Sequence, residues 1–157
     1  MKNREERKEK ALACFSDHLH CSQSVLAAFA EECGISEETA FRLGSCFGSG
    51  MRRGNVCGAC VGALMVLGLM YGETYAGDRE GRQRSNRLND LMMDRFSRAN
   101  GSCICNELLG CDVRTPEGVQ YARDHHLFTE FCPKMVESAV EILEDMLTDQ
   151  DGFSIPE

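Results

Sequence analysis

Two cysteines separated by two residues, Cys57 and Cys60, lie in the segment NVCGACVG at positions 55–62. This spacing is found in redox-active disulfides, and it is also half of the ligand spacing of many zinc and iron–sulfur sites. A third interpretation is that the two cysteines are small apolar residues at the start of a buried helix. The spacing alone leaves all three interpretations open.

Three cysteines lie at the N-termini of predicted helices. Cys57 begins a helix predicted over 57–71, Cys105 lies in the first turn of a short helix, and Cys132 directly precedes Pro133 at the start of the last helix. Free backbone N–H groups and the helix dipole stabilise an anion there, so the pKa of a thiol falls. Thiolates act either as nucleophiles in disulfide exchange or as metal ligands, and these positions favour both chemistries.

Cys21 is placed differently, because the pattern predicts one long helix over residues 5–32. Cys14, His18 and Cys21 follow a spacing of i, i+4 and i+7 and would share one face of that helix. A stripe of ligands is one interpretation. The simpler one is that Cys14 and His18 border the core while Cys21 packs inward.

Two arginines, Arg52 and Arg53, precede Cys57 in a glycine-rich loop. Two cations beside a thiol would lower its pKa further and could attract an anionic thiol such as glutathione. The loop lacks the P-loop pattern and follows no predicted strand, so nucleotide binding is not expected. The alternative is a pair of solvated surface charges.

The elements that must position these cysteines are predicted to be helices throughout. Helix 57–71 is apolar on every face, as expected for the buried centre of a bundle, and it is shorter than the roughly 20 residues needed to cross a bilayer. We therefore predict an all-α fold, an irregular bundle around this central helix, in a single domain over 1–157 with a charged start and a frayed C-terminal tail. Further helices are predicted from Ser36 to Phe47, over 83–99, from Ser102 to Leu109, over 117–131 and from Cys132 or Pro133 to Leu147.

Small residues recur four apart on the central helix, in the pairs Gly58 and Gly62, and Ala59 and Ala63. Small side chains let a second helix approach closely. We expect tight packing on this face, either with a helix of the same chain or with a second copy in a homo-oligomer.

The composition limits the classes of function. A chain of 157 residues with 43% apolar residues can fold around a core, and a net charge of -8 argues against a nucleic-acid or anionic-membrane partner. The charged opening MKNREERKEK is followed by no apolar signal segment, so we expect a cytoplasmic protein. Ten cysteines in that compartment indicate metal binding or redox chemistry more often than structural disulfides.

Four segments resemble a known family when they are taken in order. They are CSQSVLAAF at 21–29, FGSGMRRGNVCGACVGALMVLGLMYG at 47–72, GSCICNELLG at 101–110 and CPKMVESAVEILEDML at 132–147. Together they resemble the bacterial and archaeal family named after its C-GCAxxG-C-C cysteine pattern. Its members are named for redox activity, although no reaction is established for them.

The resemblance implies a set of four family cysteines, Cys21, Cys57, Cys105 and Cys132. Cys60 is not one of the four, so the CxxC spacing is an addition to the family pattern. The other cysteines outside the set are Cys14, Cys33, Cys46, Cys103 and Cys111.

These observations predict a redox-active protein, similar to a thiol–disulfide oxidoreductase, that exchanges disulfides with a thiol-containing partner. Cys57 would be the nucleophile, and a second family cysteine or Cys60 would resolve the mixed disulfide. One alternative is a metal site in which Cys21, Cys57, Cys105 and Cys132 bind zinc or an iron–sulfur cluster. A second alternative is a helical interaction protein whose cysteines only pack.

Overall fold

The computed structural model describes residues 2–149, and within that range the chain is all-α, as predicted. The predicted frayed tail falls, from residue 150 onward, outside the described residues. The helices are α1 (Arg4–Ser16), α2 (Cys21–Ala28), α3 (Glu37–Gly44), α4 (Gly58–Tyr71), α5 (Arg79–Asn100), α6 (Cys105–Leu109), α7 (Pro116–Asp124) and α8 (Cys132–Thr148).

Helix α4 lies at the centre of the bundle and packs against α2, α5 and α8. Its apolar residues include Ala59, Ala63 and Val66, all completely buried. Among the helices within residues 2–149, none is both long enough and apolar enough to span a bilayer.

The small-residue face of α4 packs against α2 of the same chain. A Cβ added at Gly62 would lie 2.7 Å from the carbonyl oxygen of Ser22 and 3.1 Å from the Cβ of Val25. Contacts below 3.0 Å do not occur in relaxed structures, so the crossing of α2 and α4 requires glycine at this position.

The helix predicted over 5–32 is interrupted, and that prediction is wrong. α1 ends at Ser16, and α2 begins at Cys21 after a turn in which His18 has a left-handed φ of 70°. The side chain of Gln23 accepts a hydrogen bond of 2.8 Å from the backbone N–H of His20, which caps the new helix. Cys21 is therefore the first residue of a helix and not an interior one.

Two other predicted boundaries differ from those in the structure. α5 begins at Arg79 rather than near 83, since the Asp78 side chain accepts a hydrogen bond of 2.9 Å from the N–H of Gly81. The stretch predicted to be helical over 117–131 ends as an α-helix at Asp124, and a short π-helix, Leu127–Phe131, then leads into α8.

Candidate thiol site

All four family cysteines line one cavity of about 520 Å³. Cys21, Cys105 and Cys132 are the first residues of α2, α6 and α8, and Cys57 is the N-cap of α4. Cys57 and Cys105 are each 7% exposed, while Cys21 and Cys132 are half-buried. Four helix starts that are distant in sequence thus converge on one space.

The walls of the cavity are mainly apolar. Its polar side chains are exposed at the rim, with the exception of half-buried Ser49. Among residues 2–149, no Lys, Arg, Asp or Glu side chain lines this cavity. Besides the cysteines and Gly58, its lining consists of Leu12, Phe15, Ser16, His18, Leu19, His20, Ser49, Leu109, Phe128, Thr129, Pro133 and Met135.

The sulfur of Cys21 rests against the first turn of α4. A Cβ added at Gly58 would lie 2.3 Å from Cys21 Sγ, so the absence of a side chain at position 58 makes room for the sulfur. The glycine that follows Cys57 in the CGAxxG motif therefore brings the Cys21 sulfur next to the start of α4.

A short backbone pairing fixes Cys57 beside Cys105. Val56 and Ile104 form an isolated antiparallel bridge. The N–H of Cys57 donates to the carbonyl of Cys103 at 2.7 Å, and the N–H of Cys105 donates to the carbonyl of Asn55 at 2.6 Å. The starts of α4 and α6 are held together by these two hydrogen bonds.

Left-handed backbone conformations precede three of the four cysteine-bearing helices. Among residues 2–149, the non-glycine residues with positive φ are His18 before α2, Ser49, Met51 and Arg52 before α4, and His126 before α8. Each such residue costs about 1–2 kcal/mol, and strain of this kind concentrates at functional sites. Here it accompanies the loops around the cavity.

Ser49 is a residue of the site that the sequence did not single out. A Cβ added at the preceding Gly48 would lie 2.3 Å from His20 Nδ1, so the imidazole ring packs directly on this glycine. That contact brings the N–H of Ser49 to the start of α2. The two glycines that flank Ser49 were the available signal, but they did not indicate which sulfur the loop would approach.

Of the four family cysteines, Cys21 has the thiol that ionises most readily. Its pKa is lowered to about 7, first because the Cys57 thiol can donate a hydrogen bond to its sulfur. The backbone N–H groups of Ser49, Ser22 and Cys21 itself also lower the pKa, against the opposing effect of burial. A thiolate with this pKa is substantially populated near neutral pH.

The other three family thiols are held protonated. The pKa of Cys57 is raised well above its ordinary value, because Cys57 shares a proton with Cys21 and is buried beside it. Burial and the charge of Cys21 raise the pKa values of Cys105 and Cys132 to about 12. The direction at Cys57 differs from the lowered pKa expected at a helix start: the hydrogen bond with Cys21 and burial raise it, and the N–H groups of Ala59 and Cys60 offset only part of that rise.

Cys60 lies outside the cavity. It is 0% exposed, its sulfur lies 3.6 Å from the Met93 sulfur, and burial raises its pKa to about 12. The structure therefore places Cys60 in the core behind the site, whereas Cys57 faces the cavity.

The remaining sequence candidates contribute little to the cavity. Arg52 and Arg53 are exposed and do not line it. Cys14 is buried in the core, and burial raises its pKa, whereas His18 lies at the rim. These positions do not form the stripe of ligands considered for α1.

The four-cysteine metal alternative has no assembled ligand set in the described part of the chain. All ten cysteines are free thiols. Across residues 2–149, no group of three or more His, Cys, Asp or Glu side chains is arranged to hold a metal ion. The shared cavity brings the four cysteines to its walls without gathering them around one centre.

The fold and site define a helical, cysteine-rich protein whose thiols converge on an apolar cavity. The chain belongs to the family described as "Putative redox-active protein (C_GCAxxG_C_C)", whose pattern it matches over residues 19–146. No curated protein and no solved structure matches the chain.

Proposed function

We propose that this protein carries out thiol–disulfide exchange, with Cys21 as the attacking thiolate and Cys57 as the resolving thiol. The observation that supports this assignment is the position of the Cys21 sulfur. It lies against Gly58, at the N-terminus of α4, where it is beside the Cys57 thiol and at the wall of the cavity.

In the first step, the Cys21 thiolate attacks one sulfur of a substrate disulfide. The substrate S–S bond breaks, a mixed disulfide forms on Cys21, and one substrate sulfur leaves as a thiolate. In the second step, Cys57 loses its proton to solvent and attacks the Cys21 sulfur. The second substrate thiolate leaves, so two protein thiols are oxidised to one disulfide while the substrate disulfide is reduced by two electrons.

The order of these steps follows from the electrostatics of the pair. The proton shared with Cys21 and the charge on Cys21 are two of the three main causes that raise the pKa of Cys57. Both disappear once the Cys21 sulfur is bound in a mixed disulfide. Cys57 therefore becomes easier to deprotonate when it is needed as the second nucleophile, and a thiol-containing redox partner would later reduce the pair.

Disulfide mapping tests this proposal. The reduced protein is treated with 2-hydroxyethyl disulfide, quenched with acid, alkylated and digested, and the disulfide-linked peptides are identified by mass spectrometry. We expect a disulfide between Cys21 and Cys57. Cys21→Ser should abolish its formation and leave Cys57 as a free thiol.

Cys46→Ser provides the matched control, because Cys46 is exposed and lies outside the cavity. This variant should form the disulfide at the rate of the original chain. Absence of a Cys21–Cys57 disulfide, or rapid oxidation of Cys57 in Cys21→Ser, would contradict the proposed roles.

A further inference from the structure

We infer that the substrate of this thiol site is a small, uncharged, largely apolar disulfide, with a cyclic 1,2-dithiolane amide as its model, rather than a charged disulfide such as that of glutathione. This inference rests on the proposed function, since it names the substrate class of the same site. It is carried by the composition of the cavity walls and by the depth of the thiols.

The volume suits a small molecule. A cavity of about 520 Å³ lies within the range of roughly 300–1,000 Å³ typical of ligand pockets. Of the two reacting thiols, Cys21 is half-buried and Cys57 is only 7% exposed, so both sulfurs are recessed from the surface. A disulfide held in the surface of a folded protein would have to leave its own packing to reach them, whereas a small disulfide can enter.

The chemistry of the walls disfavours charge on that molecule. Leu12, Leu109 and Phe128 are among the apolar side chains of the cavity, and within the described part of the chain no Lys, Arg, Asp or Glu side chain lines it. An ionised carboxylate taken from water into such a space loses hydration and meets no Lys or Arg side chain of the lining. The two arginines that precede Cys57 are exposed and outside the lining.

A few polar groups at the rim remain available to orient a neutral ligand. Ser16, His18, His20 and Thr129 are exposed and line the cavity. Hydroxyl and imidazole groups exchange hydrogen bonds with a neutral amide or hydroxyl group. An apolar body that carries a disulfide at one end and a neutral polar group at the other fits this distribution.

The test compares oxidised lipoamide with oxidised lipoate, which share the same dithiolane ring and differ by one distal negative charge. The rate of Cys21–Cys57 disulfide formation is measured by acid quench and mass spectrometry with each reagent in excess. Each rate is divided by that of the same reagent with 2-mercaptoethanol. We expect the normalised rate for lipoamide to exceed that for lipoate by about tenfold or more, because the carboxylate loses hydration at the cavity.

Thr129→Lys adds a cation at the rim without altering the core. It should raise the normalised rate with lipoate, relative to that with lipoamide, about two- to fivefold, the effect of an exposed ion pair. Thr74→Lys is the matched control, because Thr74 is also exposed but lies outside the cavity, and it should change neither rate.

Equal normalised rates for the two reagents, or a faster reaction with lipoate, would overturn the substrate class. If 2-hydroxyethyl disulfide still produces the Cys21–Cys57 disulfide in that case, the proposed exchange function stands and only the substrate class is wrong. If neither that reagent nor lipoamide oxidises the pair, both the function and the substrate class are wrong.

Discussion

The sulfur of Cys21 occupies space that a side chain at position 58 would fill, since a Cβ on Gly58 would lie 2.3 Å from Cys21 Sγ. The same Cβ would also lie 3.0 Å from the carbonyl oxygen of Phe47. Gly58 is therefore part of the site although it has no reactive atom, and the CGAxxG motif joins two cysteines that are far apart in sequence.

Gly58→Ala should displace the Cys21 sulfur from the start of α4. The apparent pKa for alkylation of Cys21 should then rise from about 7 toward the ordinary thiol value near 8.5, measured from the pH dependence of iodoacetamide labelling. Gly68→Ala, in the same helix with open space around the added Cβ, is the control. It should leave that pKa unchanged and stabilise the fold by up to about 1 kcal/mol. Identical labelling profiles for the two variants would contradict the role of Gly58.

The low pKa of Cys21 should depend on a donor at position 57. Cys57→Ala removes the donor and should raise the apparent pKa of Cys21, whereas Cys57→Ser keeps an O–H donor and should retain most of the lowering. The pH profile of Cys21 labelling, resolved by peptide mass spectrometry, distinguishes the two. An unchanged pKa in both variants would mean that the backbone N–H groups, and not the neighbouring side chain, lower the pKa of Cys21.

The sequence predicts the all-α class, helices at Cys57 and Cys132, and the close packing of the glycine face, because these depend on local periodicity and small-residue spacing. It does not predict the break before Cys21, which depends on a left-handed His18 and on the capping of His20 by Gln23. The lowered pKa of Cys21 also lies beyond a sequence pattern. It depends on tertiary packing, which brings the Cys57 thiol and the N–H of Ser49 to the Cys21 sulfur.

The two cysteines of the CxxC segment, Cys57 and Cys60, should not form the redox disulfide with each other. Cys60→Ala should keep the oxidation rate of the Cys21–Cys57 pair within about twofold of the original, because Cys60 lies outside the cavity, although loss of a fully buried sulfur should destabilise the fold by roughly 1 kcal/mol. Peptide mapping after oxidation and a urea unfolding curve measure the two effects. A Cys57–Cys60 disulfide as the main product would refute this assignment.

Buried thiols should make the reduced protein sensitive to alkali. Cys60 and Cys105 have pKa values raised to about 12 by burial, and that of Cys57 is also raised. Between roughly pH 8.5 and 12 the unfolded chain loses these thiol protons while the folded chain keeps them, so stability falls as pH rises, by about 1.4 kcal/mol per pH unit for each thiol. Cys21, whose pKa is lowered, contributes in the opposite sense, but between about pH 7 and 8.5, so its contribution is nearly complete where this range begins. Urea unfolding under reducing conditions at about pH 9, 10 and 11 measures the slope, and Cys60→Ala should flatten it by about the amount of one thiol. An unchanged slope in that variant would show that Cys60 ionises in the folded protein.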